Sequence, residues 1–204
     1  MTDAVPTRAQ LRRQLRSARR ALSRAQQQRA ARNLYKQLAQ HPAFRRARHI
    51  ALYLASDGEI DPCWLLRAAQ RRGKATYLPV LSAWPKTKMV FQRIRPEDKL
   101  QRNRFKIAEP LANRAQQRKV WALDLILLPL VGFDGHGGRL GMGGGFYDRS
   151  LAYRKIRRHA QKPGLLGLAH ECQKVEKLPM ASWDVPLQAT VSDRGWYGVA
   201  RRSN

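Results

Sequence analysis

The sequence predicts an α/β fold in which a mostly parallel central sheet lies between layers of helices, behind an N-terminal helical hairpin. Three observations carry the prediction. Two capped amphipathic segments open the chain, a strand, helix and strand with short connections follow, and the most apolar run leads straight into a glycine-rich loop.

Thr7 is placed to cap a first helix in which Leu11, Leu15, Ala18 and Leu22 recur on one face and the arginines fall on the other, as a solvated basic face. Ser23 with Gln26 three residues on forms a capping box for a second helix, which runs through Leu34 and Leu38 and stops before Pro42. In "RHIALYLASDGEID", Ile50, Leu52 and Leu54 alternate with Ala51 and Tyr53 as a strand that ends at the turn Ser56-Asp57-Gly58. Asp61 caps the next helix with Pro62 at its first position, and Gly73 closes it. "KATYLPV" then supplies a second strand, completing a βαβ unit and implying a parallel sheet covered on both faces.

"KMVFQRI" alternates as another strand, and residues 96–119 have the proline, charge and weak periodicity of a long loop. "ALDLILLPLVGF" is nearly continuous in apolar residues, as a central strand buried on both faces requires. The glycine loop leaves its C-terminal end, and from Gly144 or Gly145 "FYDRSLAYRKIRRHA" reads as a helix. "GLLGLAH", "ATVSD" and "GWYGVA" supply the remaining strands. The whole is a three-layer, Rossmann-like arrangement in one domain spanning residues 1–204, whose ligands gather at the carboxyl edge of the sheet.

At 204 residues and 43% hydrophobic, the chain can bury a substantial core, and no apolar run approaches the roughly 20 residues that cross a bilayer. The arginine-rich start lacks an apolar signal core, so a cytoplasmic, monomeric protein with no membrane association is expected. Cys63 and Cys172 form no C-x-x-C pattern, and the five histidines show no metal-ligand spacing. The formal charge is +26, from 40 Lys+Arg against 14 Asp+Glu, with no acid between Asp3 and Asp57. Such a field draws polyanions, and nonspecific nucleic-acid adhesion is an expected by-product. A basic nucleic-acid-binding protein on a Rossmann-like scaffold is the alternative reading, although no recognition-helix, RRM or KH signature accompanies the charge.

"GFDGHGGRLGMGGGFYDRS" holds eight of the chain's 14 glycines between Gly132 and Gly145. A loop entering a helix presents free backbone N–H groups and about +0.5 charge of helix dipole to an anion, which favours phosphate. The Gly-Lys-Ser/Thr ending of a P-loop is missing, so Arg139 is placed to supply the cation, and Asp148 to hold a Mg²⁺ shared with the phosphates. A tight turn packing a helix on a sheet is an equally valid reading of the glycines alone.

"FDGHGGRLGMGGGFYDRSL" resembles the signature of the 5-formyltetrahydrofolate cyclo-ligase family, also called methenyltetrahydrofolate synthetases. The similarity continues in family order through "RAQLRRQLRSARRAL", "IALYLASDGEID", "GKATYLPV", "FKIAEP" and "VEKLPMASWDVPLQATVSDRG". The resemblance implies ATP-dependent conversion of 5-formyltetrahydrofolate to 5,10-methenyltetrahydrofolate, with Mg²⁺ as cofactor and ATP as co-substrate. In that reaction the formyl oxygen takes the γ-phosphoryl group and ring closure expels phosphate.

By the same resemblance, Arg139 and Tyr147 are the catalytic pair. Arg8, Arg12, Arg139, Gly141, Met142, Gly143, Gly144, Gly145, Phe146 and Tyr147 would bind ATP, and Asp148 and Asp184 the metal. Leu54, Glu59, Phe105 and Tyr147 would bind the folate, Glu59 by accepting hydrogen bonds from the pterin. Taken singly, Asp184 reads as a loop or cap aspartate, Glu59 as an exposed loop charge and Phe105 as a core plug. Arg8 stands where the family has lysine, Met142 where it often has Tyr, Arg or His, and Lys106 where glycine is common.

Overall fold

A computed structural model describes residues 6–82, 85, 89–156, 162–179, 181 and 183–198. Of the expected elements, Lys88, residues 157–160 and residues 199–200 lie outside them.

Both N-terminal helices start where their caps predict. Helix α1 (Arg8–Arg20) follows a reciprocal Thr7/Gln10 capping box, and α2 (Arg24–Leu38) follows Ser23/Gln26. Pro42 opens a separate short helix, α3 (Pro42–Arg46). Strand β1 is only His49–Ala51, although the Leu52 N–H still bonds Tyr77 O at 3.0 Å. Helix α4 (Cys63–Arg71) begins one residue later than expected, because the Asp61 carboxylate accepts from the Cys63 N–H at 2.9 Å and leaves Pro62 outside. Strands β2 (Ala75–Leu81) and β3 (Met89–Ile94) follow.

The expected long loop at 96–119 is partly ordered. It contains a ribbon, exposed β4 (Leu100–Arg102) paired with mostly buried β5 (Ala108–Pro110), and a short edge strand, β6 (Gln117–Arg118). The apolar run 122–133 is likewise not one strand. β7 covers Leu125–Pro129, and the chain then turns into a hairpin of β8 (Gly132–Phe133) and β9 (Arg139–Leu140) before the loop 141–145. Helix α5 (Phe146–Leu151) is six residues long and breaks at Ala152 into α6 (Tyr153–Ile156). Strands β10 (Gly164–Leu168), β11 (Ala189–Val191) and β12 (Trp196–Gly198) complete the fold.

The main sheet has eight strands in the order β12-β11-β10-β7-β1-β2-β3-β6, parallel from β11 to β2 and antiparallel at both margins. Alternation sorts its side chains into two cores. Ile50, Leu52, Leu125, Leu127, Leu166 and Leu168 pack with Leu34 and Leu38 of α2 and Leu65 of α4, while Ala51, Ile126, Leu128 and Leu165 pack on the other face with Leu151 of α5. Helix α1 lies apart from both, with Leu11 and Leu15 against Val131, Leu140 and Leu178 beyond the carboxyl edge. The two helices of the expected hairpin therefore cover different surfaces.

From β1 the chain proceeds one way to β2, and from β7 the other way to β10. The crevice between the ends of β1 and β7 is thus the switch point at which α/β folds bind ligands.

Candidate active site

Two loops flank that crevice, residues 52–61 after β1 and residues 130–145 after β7. Arg19 of α1 bridges them. Its side chain is fully buried, with Nε on Asp57 O at 2.8 Å, Nη1 on Leu130 O at 3.1 Å and Nη2 on Asp57 Oδ2 at 2.8 Å. The expected apolar stripe gave this place to Ala18 and Leu22, both only half-buried, and put Arg19 on the solvated basic face. Burial instead follows Leu11, Leu15 and Arg19, a spacing of four, because Arg19 finds acceptors where a leucine would find carbonyls.

Asp57 adopts a positive φ of 53° to face α1, and Arg16, Arg19 and Arg20 all pair with its carboxylate. Burial alone would raise the Asp57 carboxyl, but hydrogen bonds from Arg16, Arg20 and Arg19 hold it down at about 2. Glu59, two residues on, behaves oppositely. Burial pushes its carboxyl up against the pull of Arg19, whose Nη2 is 3.8 Å from Oε1, and of the Ser56 N–H at 3.1 Å. A largely buried carboxylate with one long ion pair is poised for a ligand that donates hydrogen bonds. Half-buried Leu54 lies on the same loop.

Tyr147 belongs to this neighbourhood. Burial and the nearby Glu59 carboxylate push its phenol up, against the Arg139 charge, so it remains a proton donor at neutral pH. Tyr53, buried with its hydroxyl on Ile60 O at 2.6 Å, is pushed up likewise.

Across the crevice, Arg139 of β9 is 5% exposed. Its Nη2 pairs with Asp148 of α5, whereas Nη1 is buried without a partner among the described residues. Arg8 reaches over the rim to Asp184, with Nη1 on Oδ2 at 2.7 Å and Nη2 on Oδ1 at 3.2 Å, and the Ala181 N–H adds a third bond at 2.9 Å. Burial would raise the Asp184 carboxyl, but Arg8, the Ala181 N–H and the charge of Arg139 hold it below the usual carboxylate range. Arg12 donates from Nε to Gly141 O at 2.9 Å, anchoring the loop to α1.

The glycines divide into two groups. Gly132 to Gly138 build the hairpin, whose turn is organised by Asp134. That buried carboxylate accepts from the N–H groups of His136 at 2.9 Å and Gly138 at 2.7 Å, and from Leu178 N–H at 2.9 Å. A Cβ on Gly138 would lie 2.3 Å from Asp134 Oδ2, so this glycine serves the turn and no ligand. Gly141, Gly143, Gly144 and Gly145 form the exposed loop before α5. Gly145 has φ +63°, and a Cβ there would meet Arg149 Nη1 at 2.7 Å.

Phe146 opens α5 and meets Phe105 edge-on, with centroids 6.2 Å apart. Phe105 is thus an exposed wall beside the loop rather than a core plug. Met142 is 51% exposed, its sulfur 3.9 Å from Arg19 Nη2. Because α5 has only six residues, the expected helix dipole gives way to Arg139 and the loop N–H groups as the source of positive potential.

A crevice holding a buried carboxylate on one side and an incompletely paired arginine on the other suits a ligand with a hydrogen-bond-donating ring beside a phosphate. The model of the 5-formyltetrahydrofolate cyclo-ligase family matches residues 4–193. The chain belongs to that family. The 5-formyltetrahydrofolate cyclo-ligase of Escherichia coli (strain K12) is 40% identical over 178 residues, 87% of this chain and 96% of that protein. That of Haemophilus influenzae is 39% identical over 180 residues, 88% of this chain and 94% of its own. The solved 5,10-methenyltetrahydrofolate synthetase of Aquifex aeolicus superposes with a TM-score of 0.80 at 27% identity, covering 97% of this chain and 94% of that one.

Within this cyclo-ligase fold, sequence reasoning missed Arg19, Asp57, Asp134 and Gln173. Fully buried Gln173 donates to Leu130 O at 2.7 Å and Val131 O at 2.9 Å, fixing the loop that Arg19 also holds. A signal for Arg19 was present: it continues the Leu11–Leu15 spacing of four.

Proposed function

We propose that the chain converts 5-formyltetrahydrofolate to 5,10-methenyltetrahydrofolate, with ATP as co-substrate and release of ADP and phosphate. One observation carries the residue assignment: side chains as far apart as Arg8 and Asp184 converge on the crevice between β1 and β7, beside the cyclo-ligase loop.

A formamide is a weak electrophile and its oxygen a poor leaving group. Transfer of the γ-phosphoryl group to the formyl oxygen cures both defects. The neighbouring N10 then adds to the formyl carbon, loses its proton, and the C–O bond breaks as phosphate departs. Both steps need alignment and charge neutralisation more than a covalent nucleophile.

In this reading Glu59 accepts hydrogen bonds from the pterin, Leu54 packs on the ring, and Phe105 flanks it. Tyr147 donates toward the reacting oxygens. The buried Nη1 of Arg139 takes a phosphoryl oxygen as acceptor, relieving its lack of a partner. The N–H groups of the 141–147 loop, with Arg12 and Arg8 at the rim, hold the remaining phosphates.

Asp148 and Asp184 both lie near Arg139, and among the described residues no cluster of three or more His, Cys, Asp or Glu could enclose a metal. Two carboxylates suit a Mg²⁺ that keeps phosphate and water ligands, and the donor set therefore fits. Bound there, the ion would neutralise phosphate charge, while Arg8 and Arg139 exchange their carboxylate partners for phosphate oxygens.

The whole chain is read as one domain acting as a monomer in the cytoplasm. Among the described residues no helix is long and apolar enough to cross a membrane. Incubation with 5-formyltetrahydrofolate and Mg-ATP is expected to accumulate methenyltetrahydrofolate, followed by near-ultraviolet absorbance. Absence of ATP-dependent product would overturn the reading.

A further inference from the structure

The opposite edge of the sheet carries a second concave surface. A groove of about 530 Å³ is formed by the C-terminal turns of α4, the start of β2 and the end of β3. Arg67, Arg71, Lys74, Arg93 and Arg95 line it, against a single carboxylate, Glu97. It lies at the amino ends of the parallel strands, whereas the crevice lies at their carboxyl ends. With strands of five to seven residues, the two are on the order of 17–23 Å apart.

We infer that this groove binds the phosphate backbone of single-stranded nucleic acid. Among the described residues, Arg67, Arg71, Arg93 and Arg95 make no ion pair, in contrast to the paired arginines of the crevice. Four arginine forks converging on one cavity match phosphate oxygens in number and geometry.

The other acids along this edge are already engaged, Asp98 by the Arg95 N–H at 2.8 Å. Asp124 accepts from the N–H groups of Arg48 and His49 and from Lys162. Trp64, 40% exposed and tilted against Tyr35 with ring centroids 6.4 Å apart, lies outside the groove at i, i+3 and i+7 with Arg67 and Arg71 on α4, and so offers a base a stacking face one to two helical turns from the cations. Stacking beside a basic track selects single strands, whose bases are free, over duplex. A folate glutamate tail is a poor occupant, since it would have to cross the full depth of the sheet from the crevice.

The test is fluorescence anisotropy with a short labelled oligouridylate and its deoxy counterpart, at about 50 and about 200 mM salt. Arg67→Glu/Arg71→Glu/Arg93→Glu is compared with a control of equal charge change on the exposed face of α2, Arg24→Glu/Arg29→Glu/Arg32→Glu. The groove variant is expected to bind at least about tenfold more weakly than the control. Its log–log salt slope should shrink by about 2, roughly 0.7 per lost contact. Trp64→Ala should weaken binding roughly fivefold or more. Turnover of 5-formyltetrahydrofolate should be unchanged in all three, which also certifies their fold. Equal losses in groove and control variants would reduce the effect to net charge and overturn the proposal. So would displacement of the oligonucleotide by a polyglutamate peptide of equal charge as readily as by unlabelled RNA. Preference for the ribose or the deoxyribose strand decides which nucleic acid is bound.

Discussion

Arg19 and Arg139 are both buried at one crevice, and both touch a carboxylate. Every guanidinium nitrogen of Arg19 has an acceptor, two of them backbone carbonyls, whereas Nη1 of Arg139 is buried with none among the described residues. A buried donor without a partner costs about 1–3 kcal/mol. Such a group persists where a ligand later supplies the acceptor. On the proposed assignment, the floor around Arg19 and Asp57 serves stability and the rim around Arg139, Asp148 and Asp184 exchanges partners.

Replacing Arg19 should break that division most severely. Arg19→Met leaves Asp57 O without this donor, the Asp57 carboxylate with only Arg16 and Arg20, and Leu130 O with only Gln173, and three charge-assisted hydrogen bonds lost together cost roughly 3–5 kcal/mol. A fall in Tm of about 6–20 °C in a thermal melt is expected. A variant that melts like the wild type would show that the loops do not depend on the bridge.

The rim should behave in the reverse sense. Asp148→Asn is expected to lower kcat by about 10²-fold or more, as loss of a charge-positioning group does, while Tm moves by only a few degrees. Matching losses of turnover and stability would place Asp148 with the floor.

Glu59 sharpens the comparison because it lies on the floor but is assigned to the substrate. Its carboxyl is raised in the folded state, so its ionisation at neutral pH opposes folding, an opposition that disappears as pH falls below the unfolded value. Glu59→Gln should therefore leave Tm unchanged or slightly higher at neutral pH. It should raise KM for 5-formyltetrahydrofolate by about tenfold, the loss of one charged hydrogen-bond pair. A lowered Tm with unaltered KM would remove Glu59 from the folate site.

What the sequence disclosed followed the range of the interactions. Thr7 with Gln10 and Ser23 with Gln26 are local chemistry, and both boxes form where the spacing places them. The alternation around Ile50 and the continuous apolar run around Leu125 likewise reported which strands are buried. The start of the hairpin was hidden because Leu130, Val131 and Phe133 are as buried as β7 itself, so no change of composition marks the end of β7. The β4–β5 ribbon was hidden for the opposite reason: every residue of β4 is exposed, so no alternation exists to be read. Arg19 was misplaced on a solvated face because its acceptors lie 38 and 111 residues away, beyond the reach of any periodicity. The family motif brought Arg139, Asp148 and Asp184 into view, but not that two arginines already occupy those carboxylates.

The reach of α1 sets the order in which the molecule can be completed. Its anchors, Leu130 for Arg19, Gly141 for Arg12 and Asp184 for Arg8, are 111, 129 and 176 residues downstream. Asp57 can meet Arg16, Arg19 and Arg20 early, 37 to 41 residues on, but α1 is fully docked only after residue 184 has been made. Contacts of such sequence separation are the slow ones in folding. The rim of the crevice is therefore completed only after residue 184 is in place, and the contact of Arg8 with Asp184 is among the last that α1 makes.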